Sequence, residues 1–161
     1  VKPGEEGELI CRGPNVMIGY HKKENETDKI LKNGWYYTGD LAKQDLNGFI
    51  TITGRLKEII IRGGQNISPT EVEEAILKNS KILDCAVVGL KHSELGEIPA
   101  AFVILKDGEI FNENEIKNFC TNKLSKYKIP DIVKKIDFIP RTGSGKTMRY
   151  KLIQNYEEKS I

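Results

Sequence analysis

The segment Pro140–Thr147, with the sequence Pro-Arg-Thr-Gly-Ser-Gly-Lys-Thr, contains the residue types of a phosphate-binding loop. A Walker A loop has the pattern Gly-x4-Gly-Lys-Ser/Thr, which requires a glycine five residues before Gly145. Pro140 occupies that position, and proline has a fixed φ and no backbone N–H to donate. The sequence therefore excludes a P-loop. It leaves Lys146 on a glycine-rich turn that either approaches a ligand closely or is an ordinary surface turn.

The first third of the sequence, residues 1–55, has the residue pattern of β structure. Glu8–Arg12 predicts a short strand, and the aromatic run Gly34–Asp40 predicts another between glycines. Asn47-Gly48 is a strong hairpin signal, and Phe49–Thr53 predicts the returning strand. No continuous hydrophobic core can be assigned to this part alone, so we expect it to be a piece of a larger domain.

From residue 57 onward the pattern changes to mixed helices and strands. Ser68-Pro69-Thr70-Glu71 predicts a helix start, with Ser68 as the cap, Pro69 in the first turn and Glu71 completing a capping box. Asn112 and Glu115 predict a second start of the same kind. Strands are predicted at 85–90, 100–105 and 132–138, and a last helix at 147–156. This order predicts an α+β domain in which helices flank a small mixed β-sheet.

The composition is that of a globular protein, with 39% hydrophobic and 30% charged residues in a chain of 161. No apolar run approaches the ~20 residues of a membrane span, and no signal peptide is predicted from these residues. Because the sequence opens on Val1 rather than Met, we expect a fragment of a longer protein. Cys85 and Cys120 lie among apolar residues, which favours reduced thiols and a cytoplasmic location. The two histidines and the absence of a CxxC pair predict no metal site.

Positive charge is concentrated near the C-terminus, where residues 117–161 contain eleven Lys or Arg and four Asp or Glu. Such a segment favours either an anionic partner or a solvated face. No stacking platform for nucleic acid is predicted there.

Four motifs occur in a fixed order along the chain: Trp35–Asp40, Gly54–Glu58, Ile60–Glu73 and Pro140–Lys146. Together they closely resemble the C-terminal part of the acyl-adenylate-forming enzymes, which include acyl-CoA synthetases, aryl-CoA ligases, luciferases and the adenylation domains of peptide synthetases. The resemblance covers essentially the whole chain. Each motif alone is weak, but four with this spacing are highly specific. The run Ile-x-Arg-Gly-Gly-Gln-Asn-Ile-Ser-Pro is most similar to the acyl-CoA synthetase branch, which implies a place in fatty acid metabolism.

The resemblance implies that residues 1–56 are the last β subdomain of a large N-terminal domain and that residues 57–161 are the whole small C-terminal domain. Enzymes of this family convert a carboxylic acid and ATP to acyl-AMP and then transfer the acyl group to CoA. The implied cofactors are ATP, Mg²⁺ held mainly by the rest of the large domain, and CoA. The chain's own N-terminal domain is the implied partner, and we expect this piece alone to fold without catalysing.

The resemblance also assigns roles to single residues. Asp40 would accept hydrogen bonds from the ribose hydroxyls, and Arg55 would contact ribose and phosphate oxygens. Lys57 falls at the hinge about which the small domain rotates between the two half-reactions. Gly64 would allow pantetheine close to the backbone, and Asn66 would lie near the nucleotide in the adenylating orientation.

Lys146 matches the family's adenylation lysine, which would bridge the substrate carboxylate and the α-phosphate. A cation ~4 Å from an anion contributes ~4 kcal/mol at an effective dielectric near 20, or about three decades in rate if the contact forms only in the transition state. Two further cations, Arg149 and Lys151, could meet the phosphates of CoA or form the polar face of the last helix.

Two other functions remain open from the sequence. An adenylation domain that loads a carrier-protein thiol would use the same motifs with a different acceptor. A non-catalytic nucleotide-binding module would bind ATP on this chain alone. The identity of the acyl group cannot be read, since the acyl pocket belongs to the rest of the large domain.

Overall fold

The computed structural model describes residues 1–159, with Lys159 described by its backbone. The chain forms two compact units, Val1–Lys57 and a second that begins at Glu58. The last two residues of the predicted small domain, Ser160 and Ile161, lie outside the described residues. None of the helices described is both long enough and apolar enough to cross a bilayer.

The first unit is an antiparallel sheet centred on one long strand. Its elements are β1 (Glu6–Cys11), α1 (Glu24–Ile30), β2 (Leu31–Lys32), β3 (Trp35–Gln44) and β4 (Ile50–Arg55). β3 pairs with β1, β2 and β4, and Asp45 closes the turn into β4 by accepting hydrogen bonds from the N–H groups of Asn47 and Phe49. The predicted strands and the hairpin turn are therefore present.

Helix α1 was not predicted, because residues 1–55 were interpreted as β structure throughout. The helix is short, it buries none of its residues, and its cap position, Lys23, makes no side-chain cap bond. It therefore lacks both the apolar stripe and the capping signal on which a sequence prediction depends. Leu41 and Ala42 are the only buried hydrophobic residues described in this unit, which agrees with the expected absence of a continuous core.

The second unit contains a mixed five-stranded sheet with helices on both faces. Its elements are β5 (Ile60–Arg62), β6 (Gln65–Ile67), α2 (Pro69–Leu77), β7 (Ile82–His92), β8 (Gly96–Leu105), α3 (Glu113–Thr121), β9 (Ile132–Lys135) and α4 (Arg149–Lys159). β7 and β8 form a long antiparallel hairpin, β5 pairs with β6 and β8, and β9 runs parallel to β8. The predicted fold class, α+β with a mixed sheet, is confirmed.

The helices of this unit begin close to where the sequence predicts. Ser68 accepts a hydrogen bond from the N–H of Glu71 at 3.5 Å, and Asn112 accepts one from the N–H of Glu115 at 3.1 Å. Helix α4 begins at Arg149, two residues later than predicted, because Thr147 still pairs with Arg141 in a β-bridge. Strand β9 ends at Lys135, earlier than the predicted run 132–138.

Alternate residues of the β7–β8 hairpin supply two cores, one on each face of the sheet. On one face Val87 packs with residues of α2 and α3, and on the other Val88 packs with Leu152 of α4. Cys85 and Cys120 are buried in the first core, as predicted, and burial raises the pKa of both thiols. These two cores make the unit a firm support for the loops at its ends.

Candidate functional site

Lys146 lies in a hairpin between β9 and α4 that is closed by its own hydrogen bonds. The backbone N–H of Thr142 donates to the carbonyl of Lys146 at 2.8 Å, and the N–H of Gly145 donates to the carbonyl of Thr142 at 2.9 Å. The N–H of Lys146 donates to the Thr142 hydroxyl at 3.1 Å. Gly145 adopts a φ of +83°, which a glycine reaches without strain. The loop therefore has a defined conformation that its own hydrogen bonds close.

The Lys146 side chain is exposed, and its ammonium has no ion-pair partner within residues 1–159. Arg141, the other cation of the loop, forms hydrogen bonds with both of its terminal nitrogens. Its guanidinium contacts Asp84 at the start of β7 at 2.8 and 3.1 Å, and it donates to the carbonyl of Gly145 and to the Thr147 hydroxyl. The loop thus presents one free cation, Lys146, on a base that a second cation ties to the sheet.

Asp40 and Arg55 occupy facing positions on β3 and β4 of the first unit. Their side chains form an ion pair, with Arg55 Nε 2.9 Å from Asp40 Oδ1. The backbone before Asp40 leaves the regular pairing: Gly39 has a φ of +73°, and the Thr38 hydroxyl donates to the carbonyl of Leu9 at 2.7 Å while accepting from the N–H of Asp40. The result is a carboxylate beside a guanidinium, the groups suited to a ribose diol and a phosphate oxygen respectively.

Lys57 lies in a one-turn 3₁₀ helix, Leu56–Glu58, and is the last residue of the first unit. The next residue, Glu58, is held by the second unit through an ion pair with Arg149 at 2.8 Å. The predicted hinge residue is therefore the one at which the first compact unit ends.

Gly64 and Asn66 lie on the short hairpin formed by β5 and β6. Gly63 and Gly64 both have positive φ, +55° and +80°, which identifies a two-residue turn with glycine in both central positions. A Cβ added to Gly64 would have no heavy atom within 4 Å, so the backbone there is open to a ligand. Asn66 is exposed on the same hairpin.

Four side chains that sequence reasoning left without a role support this hairpin. The Arg62 guanidinium binds the Asp131 carboxylate at 2.9 and 3.2 Å, and Glu97 accepts a hydrogen bond from the N–H of Ile61 at 2.9 Å. His92 Nδ1 accepts from the N–H groups of the β7–β8 turn, whose Leu95 carbonyl in turn accepts from the N–H of Gly63 at 2.8 Å. No sequence signal marks these residues, because their partners lie on other elements.

The two groups of predicted site residues in the second unit are far apart. The Lys146 loop is anchored to Asp84 near one end of β7, whereas the Gly64 hairpin contacts the turn that follows His92 at the other end. Eight residues at about 3.4 Å each separate these points, or about 27 Å. The structure therefore brings Gly64 and Asn66 together and does not bring either of them to Lys146.

Arg149 points into the protein, where it has neither of the roles that the sequence left open. Its guanidinium donates to the carbonyl of Val87 at 3.0 Å and to Glu73 at 2.8 Å, in addition to pairing with Glu58. Burial raises the pKa of the Glu73 carboxyl, and the Arg149 charge opposes that rise. Lys151, in contrast, is exposed on α4.

The fold and the motifs together define the class of protein. Residues 71–146 match the family of AMP-binding enzyme C-terminal domains. Residues 71–146 therefore carry a domain of this family, and the predicted resemblance to the acyl-adenylate-forming enzymes is confirmed.

Among individual proteins, the chain is 45% identical over 153 residues to the putative acyl-CoA synthetase YngI of Bacillus subtilis, a match that covers 94% of this chain and 28% of the relative. It is 42% identical over 158 residues to 2-succinylbenzoate–CoA ligase of Bacillus cereus, covering 98% of this chain and 32% of that enzyme. The chain thus spans about a third of the length of these relatives.

Solved structures agree with these relatives. ATP-bound MatB from Rhodopseudomonas palustris matches with a TM-score of 0.92 and 31% identity, over 99% of this chain and 32% of that one. The o-succinylbenzoate CoA synthetase MenE from Bacillus subtilis, in complex with the acyl-adenylate intermediate OSB-AMP, matches with a TM-score of 0.88 and 36% identity, over 94% of this chain and 31% of that one.

Proposed function

We propose that this chain is the C-terminal part of an ATP-dependent acid–thiol ligase that forms acyl-AMP and passes the acyl group to CoA. Residues 1–56 would complete the large domain, and residues 57–161 would be the small domain that rotates about Lys57. The relatives named as acyl-CoA synthetases and CoA ligases support this reading. The observation that carries it is the free, exposed ammonium of Lys146 on an ordered loop.

Lys146 would act in the first half-reaction, in which the substrate carboxylate attacks the α-phosphorus of ATP and pyrophosphate leaves. Two anions must approach each other in this step, and a compact cation between them lowers the barrier. The ~4 kcal/mol expected at ~4 Å corresponds to about three decades in rate. Because the loop is closed by its own hydrogen bonds, little of this free energy would be lost in ordering the lysine's backbone.

Asp40 and Arg55 would hold the nucleotide during this step. The Asp40 carboxylate would accept hydrogen bonds from the ribose hydroxyls, and Arg55 would either keep that carboxylate ionised or contact a phosphate oxygen. ATP would arrive with Mg²⁺, whose ligands we expect mainly in the rest of the large domain. This chain alone would therefore bind nucleotide weakly and would not catalyse.

The β5–β6 hairpin would serve the second half-reaction, in which the CoA thiol attacks the acyl carbonyl and AMP leaves. The open backbone at Gly64 suits a slender pantetheine arm. The resemblance implies a place for Asn66 near the nucleotide in the adenylating orientation. Its hairpin, however, contacts the turn about 27 Å along β7 from the Asp84 anchor of the Lys146 loop, which disfavours one small ligand touching both Asn66 and Lys146. We therefore assign Asn66 to the same ligand as Gly64.

The test uses the full-length enzyme and measures the two half-reactions separately. Lys146→Ala should slow pyrophosphate release by about a thousandfold and leave thioester formation from supplied acyl-AMP within about threefold of wild type. Lys151→Ala removes a nearby exposed cation and should leave pyrophosphate release at the wild-type rate. An equal loss in both half-reactions for Lys146→Ala would show that the assigned role is wrong.

The acceptor is tested in the same enzyme by offering either CoA or a phosphopantetheinylated carrier protein to preformed acyl-AMP. We expect CoA to be the better acceptor, since relatives over 40% identical are named as CoA ligases. Faster transfer to the carrier protein would favour the alternative function.

A reducing compartment such as the cytoplasm is also proposed, on the burial of Cys85 and Cys120 as free thiols.

A further inference from the structure

Arg141 is the second cation of the Pro140–Thr147 loop, and the proposed function gives it no task. Its two terminal nitrogens divide their contacts between the sheet and the loop: Nη2 binds the Asp84 carboxylate at 2.8 and 3.1 Å, and Nη1 donates to the carbonyl of Gly145 at 3.1 Å and the hydroxyl of Thr147 at 3.2 Å. Both nitrogens are thus occupied, which leaves Arg141 poorly placed to bind a substrate phosphate.

The groups that Arg141 joins are the two neighbours of Lys146 and a fixed point on the sheet. Gly145 precedes Lys146 and Thr147 follows it, so the guanidinium holds the chain on both sides of the lysine. Asp84 is itself fixed, because its residue pairs with Ile104 in the β7–β8 hairpin and its carboxylate accepts from the N–H of Cys85 at 2.8 Å. The backbone position of Lys146 is therefore fixed relative to strand β7.

We propose that Arg141 is a positioning residue for Lys146, with Asp84 as its anchor; this rests on the proposed role of Lys146 in acyl-AMP formation. The loop's own backbone hydrogen bonds, between Thr142 and Lys146 and between Gly145 and Thr142, do not involve Arg141 and would persist without it. Loss of Arg141 leaves the loop closed but free to tilt relative to β7.

The expected effect is on rate and not on stability. The Arg141–Asp84 pair is partly solvated, with side-chain exposures of 41% and 33%, and such pairs contribute little to the stability of the folded state. The rate of catalysis is much more sensitive to the position of Lys146, because a displacement of about 1 Å at a reacting group costs on the order of a hundredfold in rate. A positioning role and a structural role therefore predict different results for the same variant.

The experiment compares Arg141→Gln, Arg141→Lys, Asp84→Asn and the Arg141→Gln/Asp84→Asn double variant in the full-length enzyme. Arg141→Gln and Asp84→Asn should each lower kcat for acyl-AMP formation by roughly 10- to 100-fold with little change in KM for ATP. The double variant should be no slower than the worse single variant, and Arg141→Lys should recover part of the loss. Thioester formation from supplied acyl-AMP and the Tm should stay unchanged.

The matched control is the Lys81–Glu115 pair, which has a similar length of 2.7 Å and similar exposures of 39% and 46% but joins Lys81 to α3 and not to the loop. Lys81→Gln should leave both half-reactions at the wild-type rate.

The strictest comparison introduces Arg141→Gln into the Lys146→Ala enzyme. A residue that acts through Lys146 should cause no further loss in acyl-AMP formation there.

The inference would be overturned by no loss of acyl-AMP formation in Arg141→Gln, by an equal loss in both half-reactions, or by a full further loss in the Lys146→Ala background. A large rise in KM for ATP would instead indicate direct phosphate contact by Arg141 and would also overturn it. If Lys146→Ala itself leaves acyl-AMP formation intact, the proposed function fails and the inference falls with it. If Lys146→Ala is crippled and Arg141→Gln is not, only the inference fails.

Discussion

Replacement of Arg149 by methionine is the most informative test of how the second unit is held together. Methionine keeps the apolar stem of the side chain but removes the guanidinium. Three groups then lose a partner at once: the carboxylates of Glu58 and Glu73 and the carbonyl of Val87. Arg149 and Glu73 are only 20% and 15% exposed, so water replaces these contacts poorly.

The magnitude follows from the burial of each contact. A hydrogen bond that involves a charged group stabilises by about 1.5–3 kcal/mol, and the Glu73 and Val87 contacts are of this kind. The Glu58 carboxylate is 36% exposed, so its pair contributes below about 1 kcal/mol. We expect Arg149→Met to lower the free energy of unfolding by about 3 kcal/mol, less than the sum because the three contacts share one group.

The assay is urea denaturation of the chain followed by far-UV circular dichroism, at several pH values. Burial already raises the pKa of Glu73, and loss of the Arg149 charge should raise it further. A raised carboxyl pKa means that the folded state binds the proton more tightly, so stability falls as the pH rises from the unfolded value of about 4.3 through the folded value. The deficit of Arg149→Met should therefore be largest near neutral pH and shrink on acidification.

Two further variants make this prediction sharp. Adding Glu73→Gln should restore part of the loss, because an amide costs less to bury than an unpaired carboxylate. Lys151→Met, at an exposed position of the same helix, should change stability by less than about 0.5 kcal/mol. A deficit below about 1 kcal/mol, or one that does not vary with pH, would contradict the stabilising role given to the buried contacts of Arg149.

The remaining predictions concern the sheet and the lysine loop. A hydrogen bond from Lys117 lowers the pKa of Glu113, whose stabilising effect is therefore present above about pH 4.3 and lost as the pH falls through the folded value. Urea denaturation should accordingly show Glu113→Gln to be less stable by up to about 1 kcal/mol at neutral pH and equal to wild type in acid. Gly145→Ala should slow acyl-AMP formation roughly tenfold, since its φ of +83° costs a non-glycine residue about 1–2 kcal/mol. Gly143 has no positive φ and an added Cβ there meets nothing within 4 Å, so Gly143→Ala should keep the wild-type rate; equal rates for the two variants would contradict this.

Local features of this chain could be predicted from the sequence, and contacts between distant segments could not. The helix starts at Ser68 and Asn112 are set by side chains three residues from the N–H groups they cap, and both were predicted correctly. Arg141 reaches a partner 57 residues away and Arg149 one 76 residues away, so the sequence alone could not separate their roles from that of Lys146. Helix α1 was missed for the opposite reason, since it has local structure but neither a cap bond nor a buried face.

The length of the β7–β8 hairpin has a consequence for how such an enzyme can change its chemistry. About 27 Å of sheet separates the Asp84 anchor from the turn that supports the glycine hairpin. Under the proposed function, substitutions near Gly64 would therefore alter which nucleophile is accepted without disturbing the residues around Lys146, and the reverse would also hold. Redesign of the Gly64 hairpin alone could then exchange the thiol acceptor for an amine. The Lys146 loop, which would activate the acid, would stay unchanged.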